Sequence, residues 1–226
     1  MIILLGSSSG IGKKLLGQLS KIDEILALYN HNKPDINISN VYLEKIDITK
    51  IEQIQNIIEK YNSKLTKITF INLVATTLDK LVPDINKEDV TKTFETNIFS
   101  NIYFAKFLTK KMVNDKWGRF IFFSSSKAVK GDVGISVYAS SKSSLIGFSN
   151  SLSKEYSRFN ITSNVISLGY FEGASWNRLN IEKQKELLKE VPSKKIGNVN
   201  NIYNAIELLI KSDYITGSQI YIDGGI

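Results

Sequence analysis

The chain contains no cysteine and a single histidine, His31. Without thiols it can form no disulfide and no thiolate metal site, and it is compatible with a reducing, cytoplasmic setting. One histidine cannot build a histidine-rich metal centre, so no metal is expected, and a Ser-His-Asp triad is disfavoured. No apolar run approaches the ~20 residues of a membrane helix, so no membrane association is expected. The opening MIILL is too short for the apolar core of a signal peptide and has no basic stretch before it. It reads instead as a buried strand. Long blocks of one charge are also missing. The formal net charge is +7, but the lysines are spread along the chain. The densest basic stretch, TKKMVNDKWGR, reads as the solvated end of a helix, so no nucleic-acid partner is expected.

What is present is an alternation. The 226 residues are 42% hydrophobic, enough for one well-buried core, and a single domain over 1–226 is expected. Strand-length apolar runs are MIILL, EILALY, VYLEKI, KITFINLVA, GRFIFFS, ITSNVISL and SQIYID. Between them lie amphipathic segments of helical length. KIEQIQNIIEKY sets Ile51, Ile54, Ile57 and Ile58 on one face. Residues 87–113 and 136–159 read as two long helices, with shorter ones at 11–21, 182–191 and 201–211. Such a βαβα order with nearly continuous apolar strands predicts an α/β fold: a Rossmann-type, doubly wound, seven-stranded parallel sheet with helices on both faces.

The first strand runs into GSSSGIG, which opens a helix. Gly6, Gly10 and Gly12 allow a tight turn and a close approach of the backbone to a pyrophosphate. The helix N-terminus adds free N–H groups and a partial positive charge. The same spacing also serves as a plain strand-to-helix turn. At the end of the second strand, where an NAD site commonly carries Asp or Glu on the ribose, the chain reads YNHNK. Asn30, His31 and Lys33 bring no carboxylate that would repel a 2′-phosphate. NADP(H) is therefore favoured over NAD(H), although the three also read as ordinary exposed loop residues.

The fifth strand ends in Ser124, Ser125 and Ser126, and the C-terminal edge of a parallel sheet is where ligands bind. Thirteen residues beyond Ser125 comes Tyr138, with Lys142 one helical turn later on the same face. A tyrosine hydroxyl ionises near pH ~10, and a nearby ammonium favours the phenolate. Ser125 can hold a substrate oxygen while Tyr138 transfers a proton, which suffices to interconvert a carbonyl and an alcohol. The Tyr-x3-Lys spacing alone is weak, because a chain with ten tyrosines and 29 basic residues produces it about once by chance. Tyr29 to Lys33 is such a second copy. Placement after a serine-ended strand, downstream of a glycine turn, distinguishes Tyr138.

Taken together, these segments resemble the short-chain dehydrogenase/reductase family over essentially the full length. GSSSGIG resembles that family's cofactor loop, with Leu5 where threonine is usual, and implies that Gly6, Ser8, Ser9, Gly10, Ile11 and Gly12 hold the nucleotide. KIDITK implies that Asp47 and Ile48 contact adenine. FINLVA keeps Asn72, while Leu73, Val74 and Ala75 depart from the usual NNAG; Asn72, Val74 and Ala75 are implied to line the cofactor. FETNIFSN supplies Asn97, which resembles the family's support for a water-linked proton relay. Asn97, Ser125, Tyr138 and Lys142 complete the implied catalytic set, with Lys142 also on the nicotinamide ribose. Backbone groups near Gly169 and Phe171 are implied to hold the carboxamide, with Leu168 where proline is usual.

The resemblance implies an NAD(P)(H)-dependent oxidoreductase that forms a homodimer or homotetramer. The likeness is closest to 3-oxoacyl-carrier-protein reductases, with sugar or small-ketone reduction as other expectations. A nucleotide-binding sensor or scaffold without turnover is the alternative, motivated by the departures at Leu5, Leu73 to Ala75 and Leu168. Residues 173–191 are expected to cover the substrate pocket. Trp176, within this region, and Tyr170, just before it, either line the pocket or pack beneath the cover.

Overall fold

A computed structural model describes residues 1–177 and 179–226. The strands are β1 (Ile2–Leu5), β2 (Ile25–Tyr29), β3 (Val41–Lys45), β4 (Ile68–Asn72), β5 (Gly118–Ser125), β6 (Ile161–Leu168) and β7 (Gln219–Ile222). All pair in parallel, in one sheet of order β3-β2-β1-β4-β5-β6-β7. The helices are α1 (Gly10–Leu19), α2 (Ile51–Lys60), α3 (Lys87–Phe94), α4 (Ser100–Asp115), α5 (Ser126–Lys130), α6 (Ser136–Tyr156), α7 (Ala174–Asn177), α8 (Ile181–Glu190) and α9 (Val199–Lys211). Among the described residues, no helix is long and apolar enough to cross a membrane.

A fully apolar strand must bury both faces, and β1 does so by alternation. Ile3 and Leu5 join the core on one face with Ile54, Phe104 and Phe120. Ile2 and Leu4 join the other with Leu15, Leu16 and Ile206. Phe70 anchors the first core, with its ring 5.0 Å from that of Phe104. Helix starts follow local chemistry. Ser9 caps α1 by accepting from Gly12 N, and Asn86 with Asp89, and Asn198 with Asn201, form reciprocal capping boxes on α3 and α9.

The structure corrects three sequence boundaries. The long helix over 87–113 is interrupted by a π-turn at Glu95–Phe99, so α3 and α4 are separate α-helices. The fourth strand stops at Asn72 rather than Ala75, because the Asn72 side chain captures Val74 N at 2.8 Å and turns the chain out of the sheet. The second long helix is α-helical to Tyr156, then tightens to a 3-10 turn over Ser157–Phe159.

Strand order reverses between β1 and β4, whose C-terminal residues Leu5 and Asn72 are paired. Parallel sheets open a ligand crevice at such a reversal. The glycine loop leaves β1 at this point.

Candidate active site

The reversal point carries a cavity of about 610 Å³. One wall comes from the glycine loop (Gly6, Ser8, Ser9), and another from the end of β2 (Asn30, His31, Asn32). Asp47 and Ile48 follow β3, and Leu73 to Thr76 follow β4. Lys92, Glu95 and Thr96 close it from the α3 side. The expected nucleotide residues are therefore largely gathered in one place. Gly10, Ile11 and Gly12 lie behind the loop at the start of α1 rather than on the cavity wall. Lys33 lies exposed beyond it.

The loop can approach a phosphate because its glycines cannot be replaced cheaply. Gly6 takes φ +80°, and a Cβ on Gly12 would sit 2.2 Å from the Gly6 carbonyl oxygen. Asp47 Oδ1 accepts from both the Thr49 amide (3.0 Å) and hydroxyl (2.7 Å). Partial burial works against its charge, but these bonds, with Lys50 and His31 nearby, hold its carboxyl below the usual range. It stays an anionic acceptor at neutral pH. These features fit a dinucleotide: a close-packed backbone turn for pyrophosphate, and a fixed acceptor on the adenosine wall.

Ser125 ends β5, and α6 carries Tyr138 and Lys142 back against that edge. Burial raises the Tyr138 hydroxyl above its ordinary pKa, and the Ser125 side chain facing it offsets part of the rise. Lys142 is buried, and burial lowers its ammonium to about 8. Its Nζ donates to the Phe123 carbonyl at 2.7 Å. This revises the electrostatic expectation: the neighbour that lowers the tyrosine here is Ser125, and Lys142 is turned toward the β5 backbone. Ser124 Oγ donates to the Lys142 carbonyl at 3.1 Å and fixes the helix to the strand.

Asn97 lies in the π-turn, fully buried. Its side chain pairs with both backbone groups of Thr76, accepting from N at 2.8 Å and donating to O at 2.9 Å. It also donates to Ser141 Oγ at 2.9 Å. The side chain thus ties the cavity wall to the tyrosine helix. A π-turn in the middle of a helix often marks such a site, because the widened turn re-aims its side chains.

Gly169 follows β6. Its N–H donates to Ile222 O, and a Cβ there would meet Asp223 Cα at 2.7 Å. Phe171 is buried and bridges to Gly197. Neither residue borders the large cavity. Trp176 is buried against Tyr170, ring centroids 5.8 Å apart, and Tyr170 donates to Glu190 at 3.3 Å. The two aromatics therefore pack with each other and with α8. Of the predicted cover, 173–191, position 178 lies outside the described residues. Lys127 pairs with Asp132 beside this cover. Among the described residues, no group of three or more His, Cys, Asp or Glu converges to hold a metal.

Several site residues escaped sequence reasoning: Thr49, Thr76, Lys92, Thr96, Asn101 and Ser141. The first four depend on where the strand ends meet the α3 side of the cavity. Asn101 and Ser141 carried a signal, since each is polar at a position that helical periodicity turns toward the core.

Comparison with known proteins agrees with this fold. A family model described as short chain dehydrogenase matches residues 1–184. The chain is 28% identical to carbonyl reductase family member 4 of Xenopus laevis, covering 98% of this chain and 95% of that protein. It is also 28% identical to the 3-oxoacyl-[acyl-carrier-protein] reductase FabG of Buchnera aphidicola subsp. Schizaphis graminum, covering 99% and 95%. A solved structure described as ElxO with NADP bound superposes with a TM-score of 0.89 at 21% identity, covering 99% and 97%.

Proposed function

The chain belongs to the short-chain dehydrogenase family and is an NAD(P)-dependent oxidoreductase; from that premise we propose that it uses NADP(H) to reduce a carbonyl compound, with Tyr138 as proton donor. The observation that carries this reading is the placement of Ser125 at the end of β5 and of Tyr138 and Lys142 on α6, with Asn97 joining this helix to Thr76 on the wall of the cavity. Carbonyl reductase and 3-oxoacyl thioester reductase activities in the names of its relatives support a ketone substrate, carrier-bound or small.

When bound, the nicotinamide supplies the hydride that the carbonyl carbon receives. The glycine loop would hold the pyrophosphate, and Asp47 with Val74 and Ala75 the adenine. Asn30 and His31 would face the 2′-phosphate, and neither brings a carboxylate to the end of β2 to repel it. Ser125 Oγ orients the substrate oxygen by a hydrogen bond. Tyr138 Oη gives that oxygen its proton. Burial keeps this phenol protonated at neutral pH, which suits the reductive direction. Lys142, buried beneath, holds α6 to β5 through Phe123, and its ammonium would turn to the nicotinamide ribose when the cofactor is bound. Asn97 fixes the backbone of Thr76 against the tyrosine helix.

The same reading of the family implies self-association. Val90, Phe99 and Ile102 leave an apolar face exposed along α3 and α4, and we assign to it a homodimer or homotetramer contact. Light scattering should show more than a monomer. The lack of cysteine fits a cytoplasmic enzyme.

The test is NADPH oxidation with a panel of ketones that includes 3-oxoacyl thioesters, run with wild type and Tyr138→Phe. Turnover in the wild type and a loss of at least a hundredfold in the variant are expected. Equal rates would remove Tyr138 from the chemistry. NADPH should exceed NADH by about tenfold in kcat/KM, a difference of about 1.4 kcal/mol.

A further inference from the structure

A second asparagine stands one helical turn beyond Asn97. Asn101 is 2% exposed, and both ends of its amide are engaged. Its Nδ2 donates to the Asn97 carbonyl at 2.9 Å, and its Oδ1 accepts from Asn72 Nδ2 at 3.0 Å. Asn72 Oδ1 in turn accepts from Val74 N at 2.8 Å, on the nucleotide cavity wall. In the other direction, Asn97 donates to Ser141 Oγ at 2.9 Å, and Ser141 donates to the Tyr138 carbonyl at 2.7 Å. Asn72, Asn97, Asn101 and Ser141 are all nearly or fully buried. An unbroken hydrogen-bonded path thus runs from the nucleotide wall, through the π-turn, to the backbone of the proton donor.

Buried polar groups in an apolar surround are costly unless every member is satisfied, and a satisfied chain holds its members in one arrangement. The neighbours of Asn101 on α4 (Phe104, Ala105 and Leu108) are apolar core residues. An apolar side chain at 101 would suit that core better, yet it would strand Asn72 Nδ2 and remove the donor to the Asn97 carbonyl. We propose that Asn101 is a positioning residue: it sets the π-turn so that the segment 73–76 and Tyr138 hold fixed places relative to each other. The proposal rests on Tyr138 as the proton donor.

The experiment compares wild type, Asn101→Leu, Ser141→Ala, the double variant and Tyr138→Phe in the NADPH-dependent ketone assay. NADPH affinity is read by fluorescence titration, and the folded fraction by urea denaturation. Ser141→Ala enters the path at its far end and leaves Asn101 untouched, so the question survives if Asn101→Leu fails to fold. The expected result is a kcat loss of about tenfold in each single variant, with NADPH Kd and substrate KM within about threefold of wild type. The double variant should lose little more than the worse single, because both cut one path.

Wild-type kcat in a folded Asn101→Leu or in Ser141→Ala overturns the proposal. So do losses that multiply in the double variant, or a kcat loss that only follows the unfolded fraction. Tyr138→Phe separates the two readings. If it stays fully active, the assigned chemistry fails. If it is inactive while the path variants behave as wild type, only the positioning role fails.

Discussion

Lys142 provides the sharpest test of how this site is built, because its environment opposes its charge. The residue is buried, its ammonium is lowered to about 8, and the cause is desolvation. In the unfolded chain a lysine titrates near ~10.4. Between these values the unfolded chain binds more protons than the folded one, so unfolding free energy must rise with pH. Below pH ~8 both states are protonated and the full cost of the buried charge is present. As pH rises through the folded pKa the proton is released and the cost fades. Linkage with these two values gives a gain of about 2 kcal/mol between pH 7 and 9.5.

The assay is urea denaturation of wild type and Lys142→Met at both pH values, without nucleotide. Methionine has similar length and no charge, so it lacks this gain. The wild-type stability, relative to the variant, should therefore climb by about 2 kcal/mol across the interval. At pH 7 the variant should be at least as stable as wild type while inactive, the trade expected where function holds an unfavourable group in place. If the two proteins respond to pH in parallel, to within about 0.5 kcal/mol, then Lys142 is solvated or paired and the reasoning fails.

Gly12→Ala should raise the NADPH Kd at least tenfold, since its Cβ would fall 2.2 Å from the Gly6 carbonyl oxygen; binding within twofold in a titration would show that the loop yields freely. Ser125→Ala should lower kcat about a hundredfold. It should also move the tyrosine's ionisation upward, because the Ser125 hydroxyl is what offsets burial at Tyr138. Ultraviolet titration, with Tyr138→Phe as the blank, reads that shift; a downward movement would contradict the assignment.

The departures from the family's usual residues bear on the choice between an enzyme and a passive binder. Leu5 is fully buried as the last residue of β1, where it packs into the core and also borders the cavity with apolar surface. Leu73 and Val74 stand close to Gly6, 3.3 Å from where its Cβ would be, and complete the cavity wall with apolar surface. Neither change removes a group from Ser125, Tyr138 or Lys142.

Much of this protein was legible in its order of residues. Seven apolar runs of strand length, separated by amphipathic segments, leave a parallel sheet as the arrangement that buries both strand faces. A glycine-rich turn after the first strand and a serine-ended fifth strand then fall at the same sheet edge, because parallel strands all deliver their C-terminal ends to one side. Local pattern could not place what depends on three-dimensional convergence. The π-turn at Glu95–Phe99 has no periodic signature. The direction of the Lys142 amine is set by which carbonyl lies nearest once α6 has packed on β5, and that carbonyl belongs to Phe123. The path from Val74 through Asn72, Asn101, Asn97 and Ser141 to Tyr138 joins three segments far apart in the chain. Sequence determined that these polar residues would lie at core-facing positions. Only the packing of β4, α4 and α6 decided that they would meet, since buried amides and hydroxyls must find partners across whatever elements the core brings together.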